Sequence, residues 1–392
     1  MVVIKDVSAR AILDSRNEKT ISVSVRTSDG IFSASAPNGK SKGKHEAKPY
    51  KKSLADDILT LRKFRDYFSE ENIEYFDDLK RTEDVLNGFV GANTFFALQS
   101  AVLKAIAKKE RKNIWELINP NLSGREKFPR LVGNCVGGGK HTNFSESGVK
   151  KPDFQEFLLV PKNKNAEEAF AISKNAKKEM QRDLKNADKN FKGGKNDEDA
   201  FVTSLNEKEV LEIMKKAKIP LGVDIAASGF YKRKKYLYDN PMLKRDSEEQ
   251  LNYVSNLVKN FELFYIEDPF NEDDFENFSK LLKKFPDRLI VGDDLTTTNP
   301  SRLKKAIEMK SINAIIVKPN QIGSLIEVKE VCEIAKRKGI KIVFSHRSGE
   351  TEESILADLA FGFQADFFKS GITGKEREVK IKRLIEIEKS LK

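Results

Sequence analysis

At 392 residues, with 39% hydrophobic and 33% charged, the chain is too long for a single small core and has the composition of neither a fibrous nor a disordered protein. Lys+Arg at 71 against Asp+Glu at 60 gives +11, which suits a small anionic substrate or nucleic acid without choosing between them; the lysine clusters are mixed with acids and poor in aromatics, as in solvated helix faces. No apolar stretch reaches the roughly 18 residues of a membrane helix and Asp6, Arg10 and Asp14 break the N-terminal segment, so a cytoplasmic protein is expected, with Cys135 and Cys332 as separate buried thiols.

In chain order, the alternation Thr20-Ile21-Ser22-Val23-Ser24-Val25-Arg26, then Asp29-Gly30 and Phe32-Ser33-Ala34-Ser35-Ala36, predicts a hairpin. From about Ala55 to Leu117 the spacing turns helical, with Ala92, Phe95, Phe96, Leu98, Ala101, Val102 and Ala105 on one face. An α+β domain over 1–125 is therefore expected, with a boundary near Gly124–Pro129. Over 126–392, short apolar runs alternate with helical stretches: 157–160, 221–225, 263–266, 289–291, 314–317, 340–344 and 366–368. The fold class expected is α/β, a TIM-barrel-like ring of parallel strands and helices preceded by the α+β domain.

Each run is abutted by a chemically capable side chain. Glu156 precedes the first; Asp224, Glu267, Asp293, Lys318, His346 and Lys369 follow the others. Taken singly, each carboxylate reads as well as a helix cap or a surface ion pair. Together they converge on the carboxyl-end face of a barrel, where such folds assemble their chemistry. Asp224, Glu267 and Asp293 offer a hard cation three oxygen ligands, which suits Mg²⁺; with only His45, His141 and His346 in the chain, zinc competes poorly. Lys318 and Lys369 face these acids, and a lysine crowded by a second cation and a metal is expected to have a lowered pKa and to act as a base. Ser345-His346-Arg347-Ser348-Gly349-Glu350-Thr351 reads as an anion cradle or, more plainly, a capping turn. The set suggests proton abstraction next to a carboxylate, with a phosphate held nearby.

These residues resemble the enolase family. The likeness runs from Ala11-Ile12-Leu13-Asp14-Ser15-Arg16 through Gly91-Ala92-Asn93, Gln155-Glu156-Phe157, Ile266-Glu267-Asp268-Pro269-Phe270 and Val291-Gly292-Asp293-Asp294-Leu295-Thr296 to Lys318-Pro319-Asn320-Gln321-Ile322-Gly323 and the 345–351 segment. It implies reversible dehydration of 2-phosphoglycerate to phosphoenolpyruvate, with Lys318 as the base and Glu198 as the acid, assisted by Glu156. Lys369 would bind the substrate carboxylate, Arg347 and Ser348 its phosphate, and His141 and His346 would line the site. Asp224, Glu267 and Asp293 would hold a first Mg²⁺, while Ser41, on a lid near 38–46, would join a second that arrives with substrate. A homodimer is implied, with nucleic acid not required and no membrane. The alternatives are an enzyme of the same superfamily acting on another acid, or an RNA-binding scaffold of this fold without turnover. The chain departs from the family pattern at Asp199-Ala200, where two glycines are usual, at Lys40 and Lys42, at Gly229, and in the lengths of 141–155 and 198–224.

Overall fold

The computed structural model describes residues 1–40, 43–70, 72–86, 88–122, 128–142, 150–162 and 165–391. The expected hairpin forms and gains a third strand: β1 (Asp6–Leu13), β2 (Lys19–Thr27) and β3 (Gly30–Ser35) make an antiparallel meander in which Val7 faces Val25 and Val25 faces Phe32. Alternation along β2 buries Ile21, Val23 and Val25 on the face shared with α2 (Ala92–Glu110), preceded in the chain by α1 (Leu54–Phe64). Asp57 on α1, fully buried, accepts from the Gly91 amide (2.8 Å) and from the Thr94 hydroxyl (2.6 Å), fixing the start of α2. A Cβ on Gly91 would lie 2.3 Å from the Tyr50 backbone, so that close approach requires glycine.

Beyond residue 128 the chain closes a barrel. Its strands are β4 (Arg130–Gly137), β5 (Glu156–Leu159), β6 (Leu221–Asp224), β7 (Tyr265–Glu267), β8 (Leu289–Gly292), β9 (Ala314–Val317), β10 (Lys341–Ser345) and β11 (Phe367–Lys369), closed by pairing of β11 with β4. Helices including α3 (Ala166–Ala187), α4 (Glu207–Lys215), α5 (Ser247–Phe261) and α6 (Lys375–Ser390) pack outside it. The interior is a separate apolar plug of Val132, Leu158, Val160, Tyr265, Val291, Ala314, Ile316, Val343 and Phe367, so the barrel is a packed core with chemistry only at its rim. Among the described residues no helix is long and apolar enough to cross a membrane.

Two expectations need correction. The seven runs omitted β4, whose Gly133, Asn134 and Gly137 read as loop; yet a Cβ at Gly133 would meet Ile372 at 2.4 Å and one at Gly137 would meet Asn196 at 2.0 Å, so the glycines serve close packing. Nor is the ring uniformly parallel: β5 runs antiparallel to both β4 and β6. That reversal is why Glu156 precedes its run while the other polar residues follow theirs. All reach the same rim.

A small sheet (residues 231–245) between β6 and α5 covers a buried polar cluster. Glu207, at the start of α4, accepts from the Tyr253 hydroxyl at 2.7 Å, and Arg245 stacks on the Tyr253 and Tyr238 rings. Burial pushes the Glu207 carboxyl from 4.5 up to about 7. The folded state therefore holds this proton more tightly than the unfolded one, so the associated stability is full below about pH 4.5 and lost as pH rises through 7. Glu207→Gln is expected to raise unfolding stability at pH 8 by about 3 kcal/mol and to change it little at pH 4. Denaturant titrations at the two pH values check this.

Candidate active site

Register alone brings the first carboxylates together. Glu156 is the direct partner of Asp224, and Asp224 of Glu267, so all three side chains stand on one face of neighbouring strands at the rim. Lys369, the last residue of β11, sends its ammonium into this row: Nζ lies 2.8 Å from Glu267 Oε2, 3.2 Å from Asp224 Oδ2 and 3.3 Å from Glu156 Oε2. All four groups are buried. Tyr265 donates to Glu267 Oε2 at 2.6 Å and sets its rotamer. Burial and the neighbouring Asp224 push the Glu267 carboxyl up to about 8 despite the lysine, the sign of a rim with more negative charge than its ammoniums compensate.

Asp293 begins the loop after β8 and contacts the Lys318 ammonium, while Gln321 donates to its other oxygen at 3.1 Å. The protein's own groups do not by themselves lower the Lys318 pKa. Burial does act downward, but contact with Asp293 outweighs it and holds Lys318 at about 12. The carboxylate that touches this lysine comes from a different loop and offsets the cations around it.

On the other side of the rim Glu198, from the 196–200 loop, is buried against His141 Nδ1 (3.3 Å) and His346 Nε2 (3.7 Å) and accepts from Asn134 Nδ2 at 2.9 Å. Burial keeps both imidazoles below their usual pKa. The paired acids diverge: burial and the nearby Glu198 push Glu156 well up, whereas for Glu198 the penalty of burial is outweighed by the imidazoles, Arg377 and the Asn134 amide, and it is held well down. The two neighbouring acids are thus biased in opposite directions, Glu156 toward its protonated form and Glu198 toward its ionised form.

The turn after β10 carries the third cluster. Arg347 Nη2 donates to both Glu46 carboxylate oxygens, at 3.0 and 3.1 Å, and its Nη1 donates to Asn320 Oδ1 at 3.2 Å; Ser348 Oγ accepts from the Lys40 amide at 2.9 Å and from Arg16 at 3.2 Å. Ser41 and Lys42 lie outside the described residues.

The structure thus gathers Glu156, Asp224, Glu267, Asp293, Lys318 and Lys369 on one rim, with Glu198, His141, His346, Arg347 and Ser348 across it, and a cleft touches members of both sets. Asn134, Glu46 and Asp268 escaped the sequence reading. Asn134 lies on the overlooked strand β4; Asp268 stands in a quoted motif but received no role, although it accepts from the Asp293 and Asp294 amides (3.0 and 2.6 Å) and so orients the Asp293 loop. Asp224, Glu267 and Asp293 are buried oxygen donors of the kind a divalent ion takes, and among the described residues the groups close enough to share one ion are Asp268, Asp293 and Asp294, with His141, Glu156 and Glu198 across the rim.

Fold and site together define an enzyme barrel with two lysines set against buried carboxylates at one rim. Residues 126–392 match the family described as Enolase, C-terminal TIM barrel domain, and residues 4–61 match Enolase, N-terminal domain. Enolase of Pyrobaculum aerophilum is 33% identical over 98% of this chain and 96% of its own length; those of Methanosphaera stadtmanae and Picrophilus torridus are each 35% identical over 99% of this chain and 97% and 99% of theirs. The chain belongs to the enolase family. It is a lyase of glycolysis, a phosphopyruvate hydratase that reversibly dehydrates 2-phosphoglycerate to phosphoenolpyruvate, and the family uses a divalent metal ion.

Proposed function

We propose that Lys318, as the neutral amine, takes the C2 proton of 2-phosphoglycerate, the cation that Asp293 would hold replacing the contact that keeps the ammonium protonated, and that Glu198, with Glu156, protonates the C3 hydroxyl as it leaves. The C2–H electron pair becomes the enolate, the C3–O bond breaks, and the hydroxyl departs as water. The observation that carries the reading is the pair of lysines, buried Lys369 and largely enclosed Lys318, set on one rim against Asp224, Glu267 and Asp293. Lys369 binds the substrate carboxylate, His141 and His346 line the cavity as neutral rings, and Arg347 with Ser348 binds the phosphate, which must compete with Glu46 for the guanidinium. Of the two acids Glu156 is the one biased toward keeping a proton, so in this reading Glu198 depends on Glu156 for the proton that goes to the hydroxyl.

Asp224, Glu267 and Asp293 would hold Mg²⁺, and Ser41 would join a second Mg²⁺ that enters with substrate. The bound ions supply positive charge beside the carboxylate on which the enolate charge builds. Calorimetric titration with Mg²⁺ is expected to give one site on the protein alone and two when 2-phosphoglycerate is present, and a chelator is expected to abolish turnover until Mg²⁺ is restored. One site under both conditions would remove the second ion from the scheme.

Residues 1–125 cap the barrel of 126–392 in this reading, supported by the hydrogen bond from Asn320 to the Pro37 carbonyl and by the pairing of Asn38 with Gly349. The reading extends to a cytoplasmic homodimer that requires no nucleic acid. Light scattering at twice the 44.4 kDa chain mass would test the dimer.

A further inference from the structure

We propose that Lys40 is a positioning residue for the acid half of the reaction: its ammonium holds Asp197, the residue before Glu198, to the turn that carries Arg347 and Ser348. The proposal rests on the roles given above to Glu198 and to that turn.

Lys40 stands on a fixed base. Asn38 and Gly349 exchange backbone hydrogen bonds at 2.7 and 2.9 Å, and the Lys40 amide donates to Ser348 Oγ at 2.9 Å. Gly39 passes directly beneath Arg347, where a Cβ would lie 1.8 Å from the guanidinium. From this base Lys40 Nζ reaches Asp197 Oδ2 at 2.6 Å, each side chain about a quarter exposed, at 25% and 23%.

The acid loop is tied to the same turn from beneath. Buried Arg377, on α6, donates to the Asp197 carbonyl at 3.0 Å and to the Ser348 carbonyl at 2.7 Å. Within the loop, Asn196 Oδ1 accepts from the Glu198 and Ala200 amides, both at 3.0 Å, so a shift of Asp197 is passed on to Glu198. The charge of Asp199 is taken by Lys195 (2.8 Å) and Lys177 (3.3 Å) on the far side. Lys40–Asp197 is thus the upper fastening of the loop, and it can be removed without opening the core. Partly exposed pairs contribute little to stability, whereas catalysis responds steeply to displacement of a reacting group.

The test uses Lys40→Met, Asp197→Asn, the double variant and Lys40→Arg, each loaded with Mg²⁺ and given 2-phosphoglycerate in deuterated water. Two rates are read, dehydration and incorporation of deuterium at C2. Lys40→Met is expected to lower kcat for dehydration about tenfold with KM within about threefold of wild type. Deuterium incorporation should change less than about twofold, because proton abstraction by Lys318 does not depend on Glu198. Lys40→Arg should restore dehydration, and the double variant should be no slower than the slower single one. An unchanged kcat, a parallel fall of both rates, or additive losses would each overturn the role. Wild-type protein without turnover would instead sink the site reading on which the proposal rests.

Discussion

Replacing Lys318 with alanine is expected to abolish dehydration to the limit of detection, a loss of at least about 10³-fold in kcat, near the upper range for a general base. Its amine is the base candidate beside Asp293, and the water that would fill its place is a far weaker, unpositioned base. Substrate affinity should change only a few-fold, because Arg347, Ser348 and Lys369 carry the anionic groups in the proposed scheme. Deuterium incorporation at C2 should vanish together with dehydration, in contrast to the loss expected when the acid loop is loosened. Stopped-flow product formation and mass analysis of recovered substrate read the two quantities. Retained C2 exchange in Lys318→Ala would assign the base elsewhere.

The second large effect falls on stability. Lys369→Met removes the cation shared by Glu156, Asp224 and Glu267, leaving three buried carboxylates facing one another. Stranding buried charge in this way costs about 3–5 kcal/mol, so without divalent ion at pH 8 the variant should unfold at a markedly lower denaturant concentration. The deficit should shrink as pH falls. Glu267 is already held at about 8, above its unfolded value, so its contribution to stability is present at low pH and lost as pH rises through that value; without Lys369 the value moves higher still. Unfolding titrations from pH 6 to 9 check the slope, and a pH-independent deficit would contradict it. Turnover should be lost as well, because Lys369 is proposed to bind the substrate carboxylate.

Most of the rim was legible because strands end where their apolar runs end. Asp224, Glu267, Asp293, Lys318, His346 and Lys369 each follow a run, and parallel neighbours bring such ends together without further information. Glu198 carried no such mark, since it lies in a loop beside a two-residue strand, and only the family likeness pointed to it. The reversal of β5 was hidden because a buried strand reads the same in either direction; the one trace was Glu156 standing before its run. Strand β4 was lost to its glycines, and Asn134 with it. The paired state of Lys318 depends on the contact between two loops 25 residues apart, a distance that spacing along the chain does not specify. The same holds for Glu46 and Arg347, which lie 301 positions apart.

The most direct measurement is the ultraviolet absorbance of the enol product when the purified, folded protein meets 2-phosphoglycerate and Mg²⁺, with and without chelator. A rise in absorbance that stops on chelation and resumes when Mg²⁺ is restored is the predicted result. A flat trace from protein whose unfolding transition is intact would contradict the account, and the Asp199-Ala200 segment after Glu198 would be the first place to seek the reason.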